Sequence, residues 1–216
     1  MAQAAVPVIV DTGAAPPAAA EAPLVLEHPH TSTGLDNRKL LMWAFLASDC
    51  MFFGTLIATY MVYKNRSLTP PYPREIFDVP YTSVSAFVLL LSSLTMVLAL
   101  AAIQHGEERR MRVWLSATAL LGCVFLGGQF YEFTTFYDEG LSLSRNLFGS
   151  TFFTLTGFHG THVAIGVFWL LSLVAHSFRG RLHREHSLFV EIAGLYWHFV
   201  DIVWILIFTL VYLIPD

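Results

Sequence analysis

Eight ionisable side chains stand inside long apolar stretches of this sequence: Asp49, Glu132, Glu191 and Asp201, with His159, His162, His176 and His198. A carboxylate at the centre of a membrane costs about 3 kcal/mol on insertion scales, so such groups are neutralised or paired and face protein. His159 and His162 are i, i+3 neighbours in TGFHGTHVAIG, a spacing that puts two imidazoles on one helix face. They could bind a metal if a third and fourth ligand joined them; otherwise imidazoles in a bundle hydrogen-bond across helices. Gly157, Gly160 and Gly166 would thin the same helix for packing. Glu191, Gly194, His198 and Asp201 follow i, i+3, i+7, i+10, one helical stripe on which the glycine admits a close neighbour. That stripe is expected to be an inter-helix seam.

Asp49, in FLASDCMFFG, lies about 13 Å along its helix among apolar neighbours. Two roles suit it: a polar contact within a bundle, or organisation of protons and water. Glu132, in GGQFYEF with Gln129 one turn before it, is either a half-solvated interfacial carboxylate or a cross-helix partner of His159 and His162. His176, His183 and His186 fall at or beyond a span boundary, where histidine is solvated or touches headgroups. Nothing pairs a nucleophile with a base, cradles a phosphate or forms a haem-attaching CxxCH. Cys50 and Cys123 read as buried thiols used as small apolar residues, with no disulfide framework or CxxC motif. No catalytic residue and no metal are expected in this chain.

The elements that position these groups follow from hydropathy. Only 13% of the 216 residues are charged and 55% are hydrophobic, with a mean hydropathy of +0.58. Soluble domains carry about 25% charge, so this is a membrane protein and not a cytosolic enzyme. The net charge of -4 and pI near 6.1 supply no basic surface for nucleic acid. Five apolar runs, about 40–63, 81–103, 113–137, 151–178 and 188–213, each exceed the roughly 20 residues that cross the hydrocarbon core. Single segments in lipid must satisfy their own backbone hydrogen bonds, so the fold class is all-α, a polytopic bundle of five transmembrane helices spanning 37–216. Residues 1–36, rich in Ala and Pro and without Lys or Arg, are expected to be a disordered, uncleaved tail. The connection 64–80, with LTPPYPREIFDVP, is expected to be extended.

Basic residues set the expected orientation. With the N-terminus inside, Arg38, Lys39, Arg109, Arg110, Arg112, Arg179, Arg181 and Arg184 lie inside, twice the number outside (Lys64, Arg66, Arg74, Arg145), favouring N-in and C-out. Trp43 and Trp114 then mark the inner interface, and Tyr60, Tyr63, Tyr81, Tyr137 and Tyr212 the outer one. Arg38, Lys39, Arg109, Arg110 and Arg112 beside Trp43 and Trp114 offer phospholipid headgroup contacts worth about 1 kcal/mol per basic residue. No internal repeat is visible, which weighs against an inverted-repeat transporter.

Five stretches in order, MWAFLASDCMFFG, LLLSSLTMVLA, FLGGQFYE, FGSTFFTLTGFHGTHVAIG and YWHFVDIVWI, make the chain from about residue 41 onward resemble subunit III of the haem-copper oxidases. Longer members have seven helices, the first two forming one arm of a lipid-filled cleft; this chain resembles the five-helix form. Asp49 stands where the family usually has a carbodiimide-reactive Glu. The resemblance implies a subunit without haem or copper of its own. It would pack on subunit I, which carries haems and copper, with subunit II completing the core and a larger respiratory supercomplex possible. In such subunits phospholipid is bound, and proton uptake and active-site lifetime in subunit I are sustained. Carried over by position, the polar residues are Asp49, Glu132, His159, His162, Glu191, His198 and Asp201. The implied activity is that of a non-catalytic subunit of a proton-pumping terminal oxidase reducing dioxygen in a bacterial plasma membrane. Alternatives within the family are a quinol oxidase subunit and the five-helix protein associated with nitric oxide reductase. A stand-alone transporter or metal-binding membrane protein would need a solvated path and a full ligand set, and neither is readable here.

Overall fold

The computed structural model describes residues 36–64, 66 and 77–214, so the expected tail (Asp36 apart) and most of the 64–80 connection lie outside the described residues. Within them every regular element is helical, and five helices are long and apolar enough to cross a membrane. These are α1 (Asn37–Tyr63), α2 (Val79–Gln104), α3 (Glu108–Asp138), α4 (Leu147–Phe178) and α5 (Ser187–Ile207).

Caps explain where several of them begin. Asp36 accepts from the Arg38 N–H at 2.8 Å, Asp78 from Tyr81 N–H at 3.2 Å, and Asn146 from Gly149 N–H at 2.7 Å. Each capping oxygen satisfies one of the amides that a helix start leaves open. Pro80 follows the Asp78 cap within the first turn, where its missing N–H costs nothing. Glycine ends three of the helices, with Gly180 (φ 65°) after α4 among them. Gly106 (φ 77°) follows α2 and Gly140 (φ 88°) follows α3. Beyond each, the next amide reaches back to a helix carbonyl, Glu107 to Ala102 and Leu141 to Phe136, both at 2.9 Å, closing a Schellman turn. The helices therefore start up to five residues earlier than hydropathy alone expects, as in α3, because charged first turns such as ERRMR stay helical while leaving the hydrocarbon.

The last span ends differently. From Phe208 to Leu213 the helix widens into a π turn, and the ammonium of Lys64 at the end of α1 donates to the Ile214 carbonyl at 2.8 Å. A π turn leaves carbonyls poorly used, and a cation from the neighbouring helix takes one of them.

Helix α5 is central. It packs on α1, α2 and α4, while α2 lies along α3, α3 along α4 and α1 along α4; α1 and α2, though consecutive, pack chiefly on these other helices. Trp197 shows how the centre is made. Its indole is wedged where a Cβ on Gly122 of α3 would come within 2.7 Å and one on Gly166 of α4 within 2.9 Å, and its N–H donates to Ser92 of α2 at 2.9 Å. Gly166 thus does thin α4 for packing, and Gly160 does so against Gln129, but Gly157 has nothing within 4 Å of its missing side chain. Cys50 and Cys123 are exposed on the outside of the bundle, correcting the expectation of buried thiols. Small and weakly polar, they are as compatible with a lipid or partner surface as with a core.

Candidate functional site

The carboxylates and imidazoles that the sequence places inside the spans, His176 at the boundary apart, fall into three cross-helix contacts and one isolated imidazole. The first joins α1 and α4. Asp49, on the inward face of α1, directs Oδ2 toward His162 Nε2 at 3.4 Å, too long for a formed hydrogen bond but close enough for one to form with a small side-chain shift. The His162 ring is oriented by its other nitrogen, 2.7 Å from the Phe158 carbonyl one turn earlier, and by the edge of Phe53 at 4.9 Å. Nδ1 therefore carries the proton in the neutral ring, which leaves Nε2 as the acceptor facing Asp49. The His162 carbonyl in turn accepts from Tyr196 of α5 at 2.9 Å. Such a pair can hold one proton between a carboxyl and an imidazole.

The second contact corrects both expectations for Glu132. Its carboxyl is neither half-solvated nor turned to the α4 histidines; it is buried, and Oε1 accepts from Thr82 of α2 at 2.8 Å and from Tyr212 of the π turn at 3.1 Å. Tyr212 and Tyr60 are accordingly buried rather than members of an interfacial belt, whereas Tyr63 and Tyr137 are exposed. Around Tyr212 the rings of Phe77, at 4.4 Å, and Phe152, at 6.2 Å, seal this end of the bundle.

The third contact is the α5 stripe, which does form a seam. Glu191 pairs with Lys39 of α1 at 2.5 Å, Gly194 faces Met96 of α2, and His198 Nδ1 meets Ser93 of α2 at 2.6 Å. Asp201, one turn on, is 3% exposed, and neither carboxyl oxygen completes a hydrogen bond among the described residues.

His159 stands apart from His162. It is fully buried, stacked on Trp204 of α5 with ring centroids 4.9 Å apart and met edge-on by Phe125, and neither nitrogen has a hydrogen-bond partner among the described residues. The two imidazoles therefore do not converge, and among the described residues no three His, Cys, Asp or Glu are grouped to hold a metal ion.

The expected headgroup residues divide. Arg38 lies over the Phe189 ring at 5.3 Å and Lys39 is engaged by Glu191. Arg110 pairs with Glu107 at 2.8 Å and Arg112 with Glu108 at 3.5 Å; Arg109 is exposed. Trp43 is exposed, and Trp114 packs half-buried against the core. Beside Arg38 an apolar groove of about 440 Å³ opens between α1, α4 and α5, walled by Leu41, Phe45, Trp169 and Phe189. At the same end His183 Nδ1 meets Glu108 at 2.6 Å, tying the α4–α5 turn to the start of α3. This pairing raises the His183 pKa above the ordinary imidazole value, first through the hydrogen bond and then through the carboxylate charge. Sequence reasoning missed Thr82, Ser93 and Tyr212, because a hydroxyl on an apolar span carries no periodic signal until its partner helix is known.

Residues 21–215 match the family model described as cytochrome c oxidase subunit III. The chain belongs to this family. It is 38% identical to cytochrome c oxidase subunit 3 of a Bacillus species over 82% of this chain and 86% of that one. It is 39% identical to cytochrome bo(3) ubiquinol oxidase subunit 3 of Pseudomonas aeruginosa over 87% and 88%. To quinol oxidase subunit 3 of Bacillus subtilis it is 41% identical over 79% and 84%. Membership makes the chain a subunit III of the haem-copper oxidases, multi-pass in the membrane, and its relatives carry both cytochrome c and quinol names.

Proposed function

We propose that the chain is the redox-cofactor-free subunit III of a proton-pumping cytochrome c oxidase in a bacterial plasma membrane, N-in and C-out, seated on the haem- and copper-bearing subunit I beside subunit II. The observation that carries this reading is the family match across residues 21–215, which includes all five spans. Its task is to stabilise subunit I, hold phospholipid and sustain proton uptake. The residues 37–216 form the functional domain.

Two features of the geometry support that task. Asp49 and His162 are a carboxyl and an imidazole facing each other across α1 and α4, an arrangement in which one shared proton leaves the pair with no net charge. The groove beside Arg38 is lined almost wholly by apolar side chains with a guanidinium at its rim, the match of an acyl chain and its phosphate. Isolated from native membranes, the chain is expected to co-purify with haem absorbance; recovery as a haem-free homo-oligomer would refute the reading. In the assembled oxidase Asp49→Asn should leave the haem content unchanged while lowering sustained turnover or hastening inactivation. An Asn variant with normal turnover, pumping and lifetime would remove the proton role and leave Asp49 a buried polar contact.

A second reading, quinol as the electron donor, is favoured by the names of the relatives at 39% and 41% identity. Oxygen uptake by the purified complex with reduced cytochrome c, and separately with a soluble quinol, decides between the two donors.

A further inference from the structure

We propose that the strip of α5 left open between α1 and α2, centred on His198, seats a transmembrane helix of the haem-bearing subunit that offers a hydrogen-bonding side chain at mid-depth. This rests on the assembly proposed above and adds the face on which it occurs.

Helices α1 and α2 flank α5 with at most a weak contact between them, and a strip of α5 that carries Ile202, Ile205 and Leu206 remains exposed. Its two edges are fixed by contacts: Glu191 reaches Lys39 on α1, and His198 reaches Ser93 on α2. Leu195 and Ile202 fall on the same stripe at helical spacing, half-buried and 57% exposed respectively. His198 lies about 16 Å along α5, close to the middle of a span, where no headgroup or bulk water reaches. Ser93 satisfies Nδ1, whereas Nε2 has no partner among the described residues and is not enclosed by the bundle.

The neighbouring surfaces show why this nitrogen points to protein. Thr55 and Thr59 on α1 and Thr161 on α4 are also exposed, but each hydroxyl donates to a carbonyl of its own helix, at 2.9, 2.8 and 2.9 Å. Lipid chains can cover those residues without leaving a polar group unpaired. On α4 the exposed Ile165 and Phe168 present only hydrocarbon. An imidazole cannot bend back onto its own backbone with both nitrogens, so Nε2 against acyl chains would remain unsatisfied. A helix of another subunit carrying a hydroxyl, amide or acidic side chain at that depth supplies the missing partner, and the exposed Ile202 supplies the apolar contact around it.

The test uses the whole oxidase in native membranes, with a photo-crosslinking phenylalanine analogue placed at Ile202 or, as a control, at Phe168 of α4, which is 77% exposed. A covalent adduct between this chain and the haem-bearing subunit from Ile202 but not from Phe168, identified by its peptides, supports the proposal. Adducts to lipid alone from Ile202, or a haem-subunit adduct from Phe168 alone, overturn it while leaving the assembly intact. Absence of haem from every preparation refutes the assembly itself. At equal membrane levels of the chain, His198→Leu should lower co-purified haem several-fold and His198→Gln, which keeps a hydrogen-bonding group, should not; equal haem in both variants also counts against it.

Discussion

At the scale of single residues, the buried Glu132 depends on hydroxyls from two other helices, and its neighbours set what each substitution does. Tyr212→Phe removes one donor but leaves Thr82, so an expected loss of about 1–2 kcal/mol follows from the lost hydrogen bond. Glu132→Ala leaves the Tyr212 hydroxyl without its acceptor and opens a gap, while the Thr82 hydroxyl keeps the Asp78 carbonyl at 3.1 Å, and it should cost more than Tyr212→Phe. Unfolding of the two variants in mixed detergent micelles, followed by tryptophan fluorescence, checks the order. His183 gives a pH dependence instead. Its pKa is raised by Glu108, so the contribution of the pair is complete below the ordinary imidazole value and is lost as pH rises through the higher folded value. Amide exchange in the turn 179–186, corrected for its intrinsic pH dependence, should quicken across that window in the native protein and show no such step in His183→Gln.

At the scale of elements, the close approach of α3, α4 and α5 hangs on one indole. Trp197 fills the space that Gly122 and Gly166 leave, and a rigid bicyclic ring held by Ser92 cannot swing aside. Gly166→Ala is therefore expected to destabilise by about 1–3 kcal/mol through overpacking, despite alanine's better helix propensity. Gly157→Ala, on the same helix with open space around it, should be neutral or slightly stabilising. Comparing the two by thermal inactivation of the purified complex separates packing from propensity, because only the first substitution meets a neighbour.

At the scale of the whole molecule, the groove beside Arg38 predicts retained lipid. Native mass spectrometry after gentle extraction should show phospholipid on the complex. Arg38→Gln should lower its occupancy several-fold, since the apolar walls remain and only the charge at the rim is lost. Unchanged occupancy would assign the bound lipid to the ordinary annulus. The same end of the bundle carries the Lys39–Glu191 and His183–Glu108 pairs, so basic residues there serve both the fold and its surroundings.

What the sequence determined by itself is everything that depends on one helix at a time. Five spans follow from run length because an isolated segment in lipid must close its own hydrogen bonds. The α5 stripe was legible because helical periodicity puts Glu191, Gly194, His198 and Asp201 on one face whatever lies opposite. The family was legible from short motifs, above all those around His159, His162, His198 and Asp201. Tertiary structure alone decided which helix lies opposite each face. It turned Glu132 toward Thr82 and Tyr212, separated His159 from His162, and put Cys50 and Cys123 on the outside. Spacing of three residues permits two imidazoles to share a face, but the neighbours of a helix are chosen by packing across several helices at once. No local pattern encodes that choice.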